Sequence, residues 1–285
     1  MFERRRPGLR AGFLATAVAV ATAVGAGSAV AAPEADPVVA PVFNLYGLHK
    51  QTHDLWEWHH DGPRLTSDLY LPADQSHLAD IITVDNTNDG HGEAKWTLYK
   101  DGRLDFAGMV GEYWQSTKTV GKGWNIYPEV LSPGDLGGAE EADLIGRDTA
   151  GVLWSYLSYP DGRLTTRTRV GGGWNAYDQL AGQGDLTGDG RADIVARDRT
   201  GVLWLYKGTG DYKAPFTTRT RIGGGWNAYD RLLSLGDDNQ DGKVDLLARK
   251  TTGEVLSYAG TGDAAKPFKA PVAFQGTYMK NFNLL

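Results

Sequence analysis

The chain has 285 residues, no cysteine and a formal net charge of −6 at pH 7. The absence of cysteine excludes disulfides, thiolate metal sites and cysteine nucleophiles. An acidic total argues against nucleic-acid binding, whose affinity comes largely from basic contacts to phosphates. The 38 glycines, 9 tryptophans and 13 tyrosines are typical of a turn-rich β protein, whereas a disordered chain is poor in aromatics.

Residues 1–31 have the pattern of a signal peptide. Four arginines between residues 4 and 10 precede an uncharged apolar stretch at 11–30, and Ala29-Val30-Ala31 matches a cleavage motif. The alternative is a retained membrane anchor, because the stretch is about long enough to span a bilayer. Its Ala- and Gly-rich composition and the cleavage motif favour removal. We therefore expect a secreted protein without a membrane span, whose mature chain begins at Ala32.

Cleavage at this point removes four Arg and one Glu, so the formal charge of the chain changes from −6 to −9. Residues 32–42 are rich in Pro and Ala, a composition that predicts an extended tether.

Residues 43–285 contain a repeat. TTRTRVGGGWNAYDQL begins at Thr165, and TTRTRIGGGWNAYDRL begins 52 residues later, at Thr217. A third copy, STKTVGKGWNIYPEV, begins at Ser116. A second segment keeps the same phase, with the copies ADLIGRDTAGVLWSY, ADIVARDRTGVLWLY and VDLLARKTTGEVLSY. A period near 50 indicates one supersecondary unit that buries its faces against its neighbours.

Two earlier segments are interpreted as divergent copies of the second segment. ADIITVDNTNDGHGEAKWTLY, from Ala79, is taken as a copy with an insertion at 86–93, and residues 43–58 as a more distant copy.

Each unit is predicted to contain four short strands. In the best-defined unit, residues 202–206 alternate between two faces, 194–196 form a short apolar run, 217–222 alternate β-branched residues with Arg, and 232–235 are mostly apolar. No stretch has a sustained period of 3.6 residues, which an amphipathic helix requires. Antiparallel four-stranded units of this length predict an all-β protein with the β-propeller fold.

The repeat predicts five blades. The units start near Asn44, Asp80, Asp143, Asp193 and Asp245, and the first unit is short and lacks a Gly-Trp-Asn segment. Four blades or an imperfect ring are the alternatives. The 52-residue offset places Leu284 and Leu285 where Leu232 and Leu233 stand in the preceding unit. We therefore expect a closed ring, because closure removes exposed sheet edges.

Two nine-residue loops have oxygen-bearing side chains at positions suited to calcium. In residues 237–245, Asp237, Asn239, Asp241 and Asp245 occupy positions 1, 3, 5 and 9, with Gly at position 6 and the Lys243 carbonyl at position 7. Calcium takes six to eight oxygen ligands on a flexible loop, and the glycine permits a sharp turn. The alternative is an Asp-rich turn stabilised by its own hydrogen bonds.

The second loop, 185–193, has the same pattern with a weaker ligand at position 3. Its predicted ligands are Asp185, Thr187, Asp189, Asp193 and the carbonyl of Arg191. The aligned loop 135–143 reads DLGGAEEAD and is predicted to be free of metal, because it lacks the central Asp and the Gly.

These loops, each followed by an apolar strand, resemble the FG-GAP or VCBS-type repeats of secreted and cell-surface propellers. The resemblance covers most of residues 43–285 and implies that the residues named above bind calcium. The GGGWNAY segments are similar to the blade motif of tachylectin-like five-bladed lectins. That second resemblance implies grooves between blades for N-acetylated amino sugars.

Three Trp-Asn pairs follow glycine and are candidate ligand contacts. An indole can stack on the apolar face of a sugar, and an amide can bond its hydroxyls. The alternative is that each Trp fills the core between blades, as large aromatics commonly do. Trp154 and Trp204, within strands, are expected to lie deeper in the core. The pairs are Trp124 with Asn125, Trp174 with Asn175, and Trp226 with Asn227.

No catalytic set is present in the sequence, and we expect a protein that is not an enzyme. All six histidines fall between residues 49 and 91, where loops and a divergent blade explain them more simply than a zinc site. A ring of equivalent grooves favours a binding function, because several weak sites that are occupied together give a higher overall affinity. Two functions remain open: a secreted lectin-like module that binds glycans, and a calcium-stabilised scaffold that binds a secreted or cell-surface protein.

Overall fold

The computed structural model describes residues 40–61, 64–87, 89–110 and 113–285. The predicted signal peptide and most of the predicted tether lie outside these residues. The fold is all β, and the helical segments in the described part of the chain are four short 3-10 helices. They are Trp124–Ile126, Trp174–Ala176, Trp226–Ala228 and Thr277–Asn281.

The strands form five separate antiparallel sheets, which are the blades of a propeller. Blade 1 contains β1 (Leu45–His49), β2 (Leu55–Asp61) and β3 (Arg64–Leu71). Blade 2 contains β4 (Leu78–Val84), β5 (Ala94–Tyr99), β6 (Leu104–Val110), β7 (Tyr113–Trp114) and β8 (Lys118–Gly121). Blade 3 contains β9 (Glu129–Gly134), β10 (Asp143–Arg147), β11 (Leu153–Tyr156) and β12 (Thr168–Gly171). Blade 4 contains β13 (Tyr177–Ala181), β14 (Ile194–Asp198), β15 (Leu203–Tyr206) and β16 (Thr220–Gly223). Blade 5 contains β17 (Tyr229–Leu233), β18 (Leu246–Lys250), β19 (Val255–Tyr258) and β20 (Val272–Gln275). The last strand, β21 (Phe282–Leu284), joins blade 1.

The C-terminal strand closes the ring. β21 pairs antiparallel with β1, with Gly47 opposite Leu284 and His49 opposite Phe282. Blade 1 therefore has four strands in the order β21-β1-β2-β3, three from the N-terminal unit and one from the end of the chain. This explains why the first sequence unit is short. The predictions of an all-β fold, five blades and closure are confirmed.

The core lies between the blades and is divided into clusters. β4, β9, β13 and β17 line the central channel. The second and third strands of each blade carry the most deeply buried side chains, such as Leu203 and Leu205, which are fully buried on one face of β15. Each cluster combines residues of two neighbouring blades, so no blade buries its faces alone.

The end of the predicted tether is hydrogen-bonded to the propeller. The Pro41 carbonyl accepts a hydrogen bond from Asp237 N (2.8 Å), and Val42 N donates to the Gly90 carbonyl (3.0 Å). Residues 41–42 therefore join loops of blades 5 and 2.

One part of the repeat alignment is wrong. The copy from Ala79 aligns Asp80 with the start of a second strand, but Asp80 lies in β4, the inner strand of blade 2. The second strand of that blade is β5, which follows residues 85–93. This segment is therefore the nine-residue loop between the first two strands, equivalent to 135–143, 185–193 and 237–245, and it is not an insertion.

Candidate functional site

The three Gly-Trp-Asn tips form the 3-10 helices between blades, and their indoles are buried. Trp124, Trp174 and Trp226 expose 6%, 7% and 7% of their surface. Trp174 lies among apolar residues of blades 3 and 4, with its ring centroid 4.8 Å from that of Tyr206. The faces that would stack on a sugar are covered, so the indoles fill the core, the second of the two interpretations above. Asn125, Asn175 and Asn227 are exposed, and their ligand-binding role stays a prediction.

A buried arginine on the second strand fixes the tip that begins the next blade. Arg197 donates from Nη1 to the carbonyl oxygens of Trp226 (3.1 Å) and Tyr229 (2.6 Å). Its Nε and Nη2 donate to the two carboxylate oxygens of Asp178, at 2.8 and 2.9 Å. The guanidinium thus satisfies backbone acceptors across the interface between blades 4 and 5. The equivalent residues are Arg147 and Arg249.

Asp at position 9 of the loops has the same structural role in three blades. In blade 4, Asp193 accepts from Leu186 N (3.0 Å) and Gly208 N (2.7 Å). Asp143 accepts from the equivalent amides of Leu136 and Ser158, and Asp245 accepts from Asn239 N and Gly260 N. Burial raises the pKa of Asp143 to about 7 and those of Asp193 and Asp245 to about 6. Because loop 135–143 keeps these bonds without a central Asp, position 9 stabilises the turn whether or not a metal binds.

Asp at position 1 accepts backbone hydrogen bonds, and Asp at position 5 pairs with lysine. Asp189 lies 3.0 Å from Lys207 Nζ, and Asp241 lies 3.1 Å from Lys269 Nζ. In both loops a lysine ammonium therefore occupies a position beside the carboxylate where a cation would bind.

The other predicted ligands make hydrogen bonds within the loops or are exposed. Asp185 and Asp237 accept hydrogen bonds from the backbone amides of the position-6 glycines. Asn239 donates to Asp245, and Thr187 is buried near Asp193. The side chains of Arg191 and Lys243 are exposed, as expected for residues that would offer only a carbonyl.

Loop 85–93 in blade 2 is a fourth copy that the sequence alignment missed. Asp85 accepts from Gly90 N at 2.8 Å, the same bond that Asp185 and Asp237 make at position 6. Oxygens of Asp85, Asp89 and Glu93, at positions 1, 5 and 9, lie within 4.8 Å of one another. The signal in the sequence is the spacing D-x-T-x-D-G-x-x-E.

Of the four loops, 85–93 has the donor set that best fits calcium. Glu93 Oε2 is buried and has no hydrogen-bond partner in the described chain, and burial raises the pKa of this carboxyl. Among the residues that the structure describes, no other three His, Asp or Glu side chains converge in this way, so the histidines form no zinc triad there.

Two exposed patches repeat on blades 3 and 4. In the blade 3 patch, the Arg167 guanidinium stacks 4.0 Å from the ring centre of Trp154 and donates to Tyr127 Oη at 3.0 Å. Trp154 Nε1 donates to Asp148 Oδ2 at 2.9 Å. Asn175 packs against Gly151, in the turn that Asp148 begins, so closely that a Cβ on Gly151 would lie 2.5 Å from the amide carbon.

The blade 4 patch has the same construction. Arg219 lies 4.0 Å from the ring centre of Trp204 and donates to Tyr177 Oη. Trp204 Nε1 donates to Asp198 at 2.8 Å, and Asn227 packs on Gly201. Trp154 and Trp204 are only partly buried, which reverses the expected order. In blade 5 the positions that correspond to Asp198, Trp204 and Arg219 hold Lys250, Leu256 and Pro271, so blade 5 has none of these three patch residues.

A cavity of about 350 Å³ lies where blades 1 and 2 meet the blade 5 loop. We call it the blade 1–2 pocket. Its wall is held by Glu57, whose Oε1 accepts from Tyr46 Oη (2.5 Å) and Asn44 Nδ2 (2.8 Å). It is lined by Val42, Asn44, Tyr46, His59, His60, Thr83, His91, Gly92, Trp114 and Gln240.

Two charged groups adjoin this pocket. Lys95 Nζ lies 4.5 Å from the ring centre of Trp114 and 5.1 Å from that of Tyr46, and burial lowers the pKa of this lysine. Asp238 is completely buried, and its Oδ1 lies 3.5 Å from His60 Nε2. Burial raises the pKa of Asp238 well above its usual value, and the nearby Asp245 and Asp237 raise it further.

Comparison with known proteins agrees with the loop geometry. Residues 185–248, which hold two of the four loops, match the FG-GAP-like repeat family. The chain is a five-bladed β-propeller that contains an FG-GAP-like repeat at residues 185–248. A comparison of this propeller with curated proteins gives no sequence match.

The solved structures that are similar to this chain include a lectin and a WD40 domain. The BP39L lectin from Burkholderia pseudomallei is 15% identical with a TM-score of 0.50, over 80% of this chain and 68% of that chain. AofleA from Arthrobotrys oligospora is 11% identical with a TM-score of 0.46, over 84% and 74%. The WD40 domain of SCAP from fission yeast is 11% identical with a TM-score of 0.37, over 84% and 58%. At these identities the similarity concerns the fold.

Within the described residues of the propeller, no helix has the length and apolar character that crossing a membrane requires.

Proposed function

We propose that this propeller is an exported, calcium-stabilised module that binds glycans and catalyses no reaction. The observation that carries the proposal is the exposed patch repeated on blades 3 and 4. Each patch combines a partly exposed indole, a guanidinium stacked on it, an exposed amide and tyrosine hydroxyls. A sugar has an apolar ring face, which an indole can contact, and a rim of hydroxyls, which can form hydrogen bonds with the guanidinium, the amide and the tyrosine hydroxyls. BP39L, which shares the fold, is a lectin.

We assign the aromatic contact with the sugar to Trp154 and Trp204 in place of the buried tip indoles. The tip residues Asn175 and Asn227 keep the role predicted from sequence, because they adjoin the turns that hold these indoles. Each patch offers one aromatic and few polar anchors, so a single patch binds weakly. Two patches on one chain favour ligands that present several sugars, since avidity increases with valency.

The test is binding of a multivalent N-acetylated amino-sugar polymer to the immobilised mature chain. Replacing Arg167 and Arg219 together by Ala should abolish binding while the melting temperature stays within a few degrees, because both side chains are exposed. Asn175→Ala with Asn227→Ala should weaken it, and Arg199→Ala, an exposed arginine outside the patches, should not. Absence of glycan binding by the wild type, with a secreted protein co-purifying, would replace the glycan proposal by the scaffold alternative.

Calcium is proposed at the Asp loops, with 85–93 the strongest candidate. Asp85, Asp89 and Glu93 would supply carboxylate oxygens, and the ion would neutralise three acidic side chains packed together. Bound calcium stabilises the folded state by mass action, so a chelator should lower the melting temperature. Asp89→Asn should remove most of that response, whereas Asp135→Asn, in the loop predicted to be metal-free, should leave it intact. A melting curve unmoved by chelation contradicts calcium binding.

We propose that the protein is exported, because residues 1–31 have the pattern of a signal peptide. N-terminal sequencing of the protein recovered from the culture medium should begin at Ala32. A product that retains residues 1–31 and stays with the cells would refute it.

A further inference from the structure

We propose that the blade 1–2 pocket holds a single pyranose ring and is a saccharide site distinct from the two surface patches. The inference rests on the proposed glycan-binding function and deepens it by assigning a second site. Its basis is that three features at or beside this pocket, Gln240, Asp238 and β7, differ from the corresponding parts of blades 3 and 4.

The first departure is Gln240, which lines the pocket with φ at 61°. Glycine stands at the same loop position in blades 3 and 4, as Gly138 (φ 102°) and Gly188 (φ 77°). Side chains other than glycine adopt this left-handed conformation at an energetic cost. Such strain persists where the surrounding structure enforces it, and it clusters at binding sites. A glutamine here brings an amide to the pocket, where blades 3 and 4 have only backbone at the same position.

The second departure is Asp238, in the same loop. The equivalent residues, Leu136 and Leu186, are buried apolar side chains. Burial of a carboxylate at that position is costly unless it has a partner. Its partner is His60 of β2, which also lines the pocket. The pair ties the blade 5 loop to blade 1 and fixes one wall of the pocket.

The third departure is β7, a strand with no counterpart in the described residues of the other blades. It presents Trp114, which is 43% exposed and lines the pocket. Lys95 lies 4.5 Å from the ring centre of this indole and holds its position through a cation–π contact. An exposed and positioned indole provides the apolar surface on which a sugar ring stacks.

The remaining lining supplies hydrogen bonds to hydroxyls. Asn44 is held by Glu57, and the imidazoles of His59 and His91 offer further polar atoms. A volume of about 350 Å³ falls within the range of small-ligand pockets, about 300–1,000 Å³, and suits one ring better than a long chain. An aromatic wall with several amide and imidazole groups around it matches a polyhydroxylated ring.

The test uses free methyl pyranosides of N-acetylglucosamine, N-acetylgalactosamine, galactose, mannose and fucose, titrated into the mature chain by calorimetry. At least one should bind with a stoichiometry of one per chain, because the pocket occurs once. Gln240→Gly should weaken that binding at least tenfold with no loss of melting temperature, since glycine adopts the left-handed conformation freely. Trp114→Ala should do the same. The matched controls are Gln51→Gly, in an exposed turn, and Tyr159→Ala, an exposed ring stacked by Arg163 in blade 3.

The outcomes separate this inference from the proposed function. Binding of a pyranoside that both pocket variants leave unchanged would overturn the pocket while the polymer-binding patches stand. Polymer binding without any pyranoside binding would also overturn the pocket alone. Failure of both pyranosides and polymer to bind the folded wild type would overturn the proposed function and the pocket with it.

Discussion

Arg249 holds the strand that closes the ring, and its replacement by Met should cost about 3–4 kcal/mol of unfolding free energy. The guanidinium donates to the carbonyl oxygens of Met279 (3.1 Å) and Phe282 (2.8 Å), at the start of β21, and pairs with Asp230 at 2.8 Å. Met has similar length, so the apolar packing of the stem is largely kept. The decrease in unfolding free energy then comes from the lost polar contacts.

The magnitude follows from the exposure of each partner. A hydrogen bond to a charged donor contributes about 1.5–3 kcal/mol, and the two buried carbonyls at the low end give roughly 3. Asp230 is 35% exposed, so its ion pair adds about 1 kcal/mol or less. A total near this value is a large fraction of the roughly 5–15 kcal/mol that stabilises a typical domain.

The assay is equilibrium unfolding in urea followed by tryptophan fluorescence. Arg197→Met, which removes the same contacts between blades 4 and 5, should cost a similar amount, and Arg199→Met, at an exposed turn, should cost less than about 0.5 kcal/mol. If Arg249→Met is no more destabilising than Arg199→Met, then water replaces the guanidinium at these carbonyls and the ring is closed by backbone pairing and apolar packing alone.

Three further predictions concern the core, the loops and pH. Trp174→Ala should cost about 3–5 kcal/mol in urea unfolding, because a buried indole between blades is lost, whereas Asn175→Ala should cost under about 1 kcal/mol. Equal small effects would mean that the tip indole is not core. Lys207→Met should enlarge the rise in melting temperature on adding calcium, since it removes the ammonium 3.0 Å from Asp189; an unchanged rise would exclude competition between lysine and metal. The pKa of Asp143 is about 7 in the folded chain against an ordinary 3.8, so the folded state retains a proton that the unfolded state releases. Stability measured in chelator should therefore fall as pH rises from about 4 to 7, and Asp143→Asn should flatten that fall; an identical slope in the variant would contradict the raised pKa.

The repeat predicted the architecture because each blade carries its own strand and turn signals. The match between residues 229–233 and the end of the chain indicated closure, and β21 supplies the fourth strand of blade 1. The assignment of residues to the strands of blade 2 could not be obtained in the same way. Its inner strand contains Ala79-Asp80 followed by an apolar run, and the second strand of blade 4 directly follows the same pair of residues, Ala192-Asp193. Similarity of sequence therefore placed Asp80 in the wrong strand.

The exposure of the tryptophans depended on which strand face meets the next blade. Alternation along β15 separates Leu203 and Leu205 from Trp204 and Tyr206, but it does not say which face is buried. The structure buries the leucines and leaves Trp204 under Arg219 at the surface. The tip indole of Trp226 is buried instead, because its 3-10 helix turns it between blades.

The blade 1–2 pocket was beyond prediction for a topological reason. It combines residues 42–60, 83–114 and 240, which only ring closure brings together. The sequence did hold two signals, since Asp238 and Gln240 stand where blades 3 and 4 have a leucine and a glycine.

We propose that this propeller binds glycans with the help of calcium. The most direct measurement is a glycan array probed with the labelled mature chain, first in calcium and then in chelator. We expect a restricted set of glycans to be bound in calcium and weaker signals from the same set in chelator. A folded, calcium-supplemented chain that binds no glycan on the array would contradict the claim.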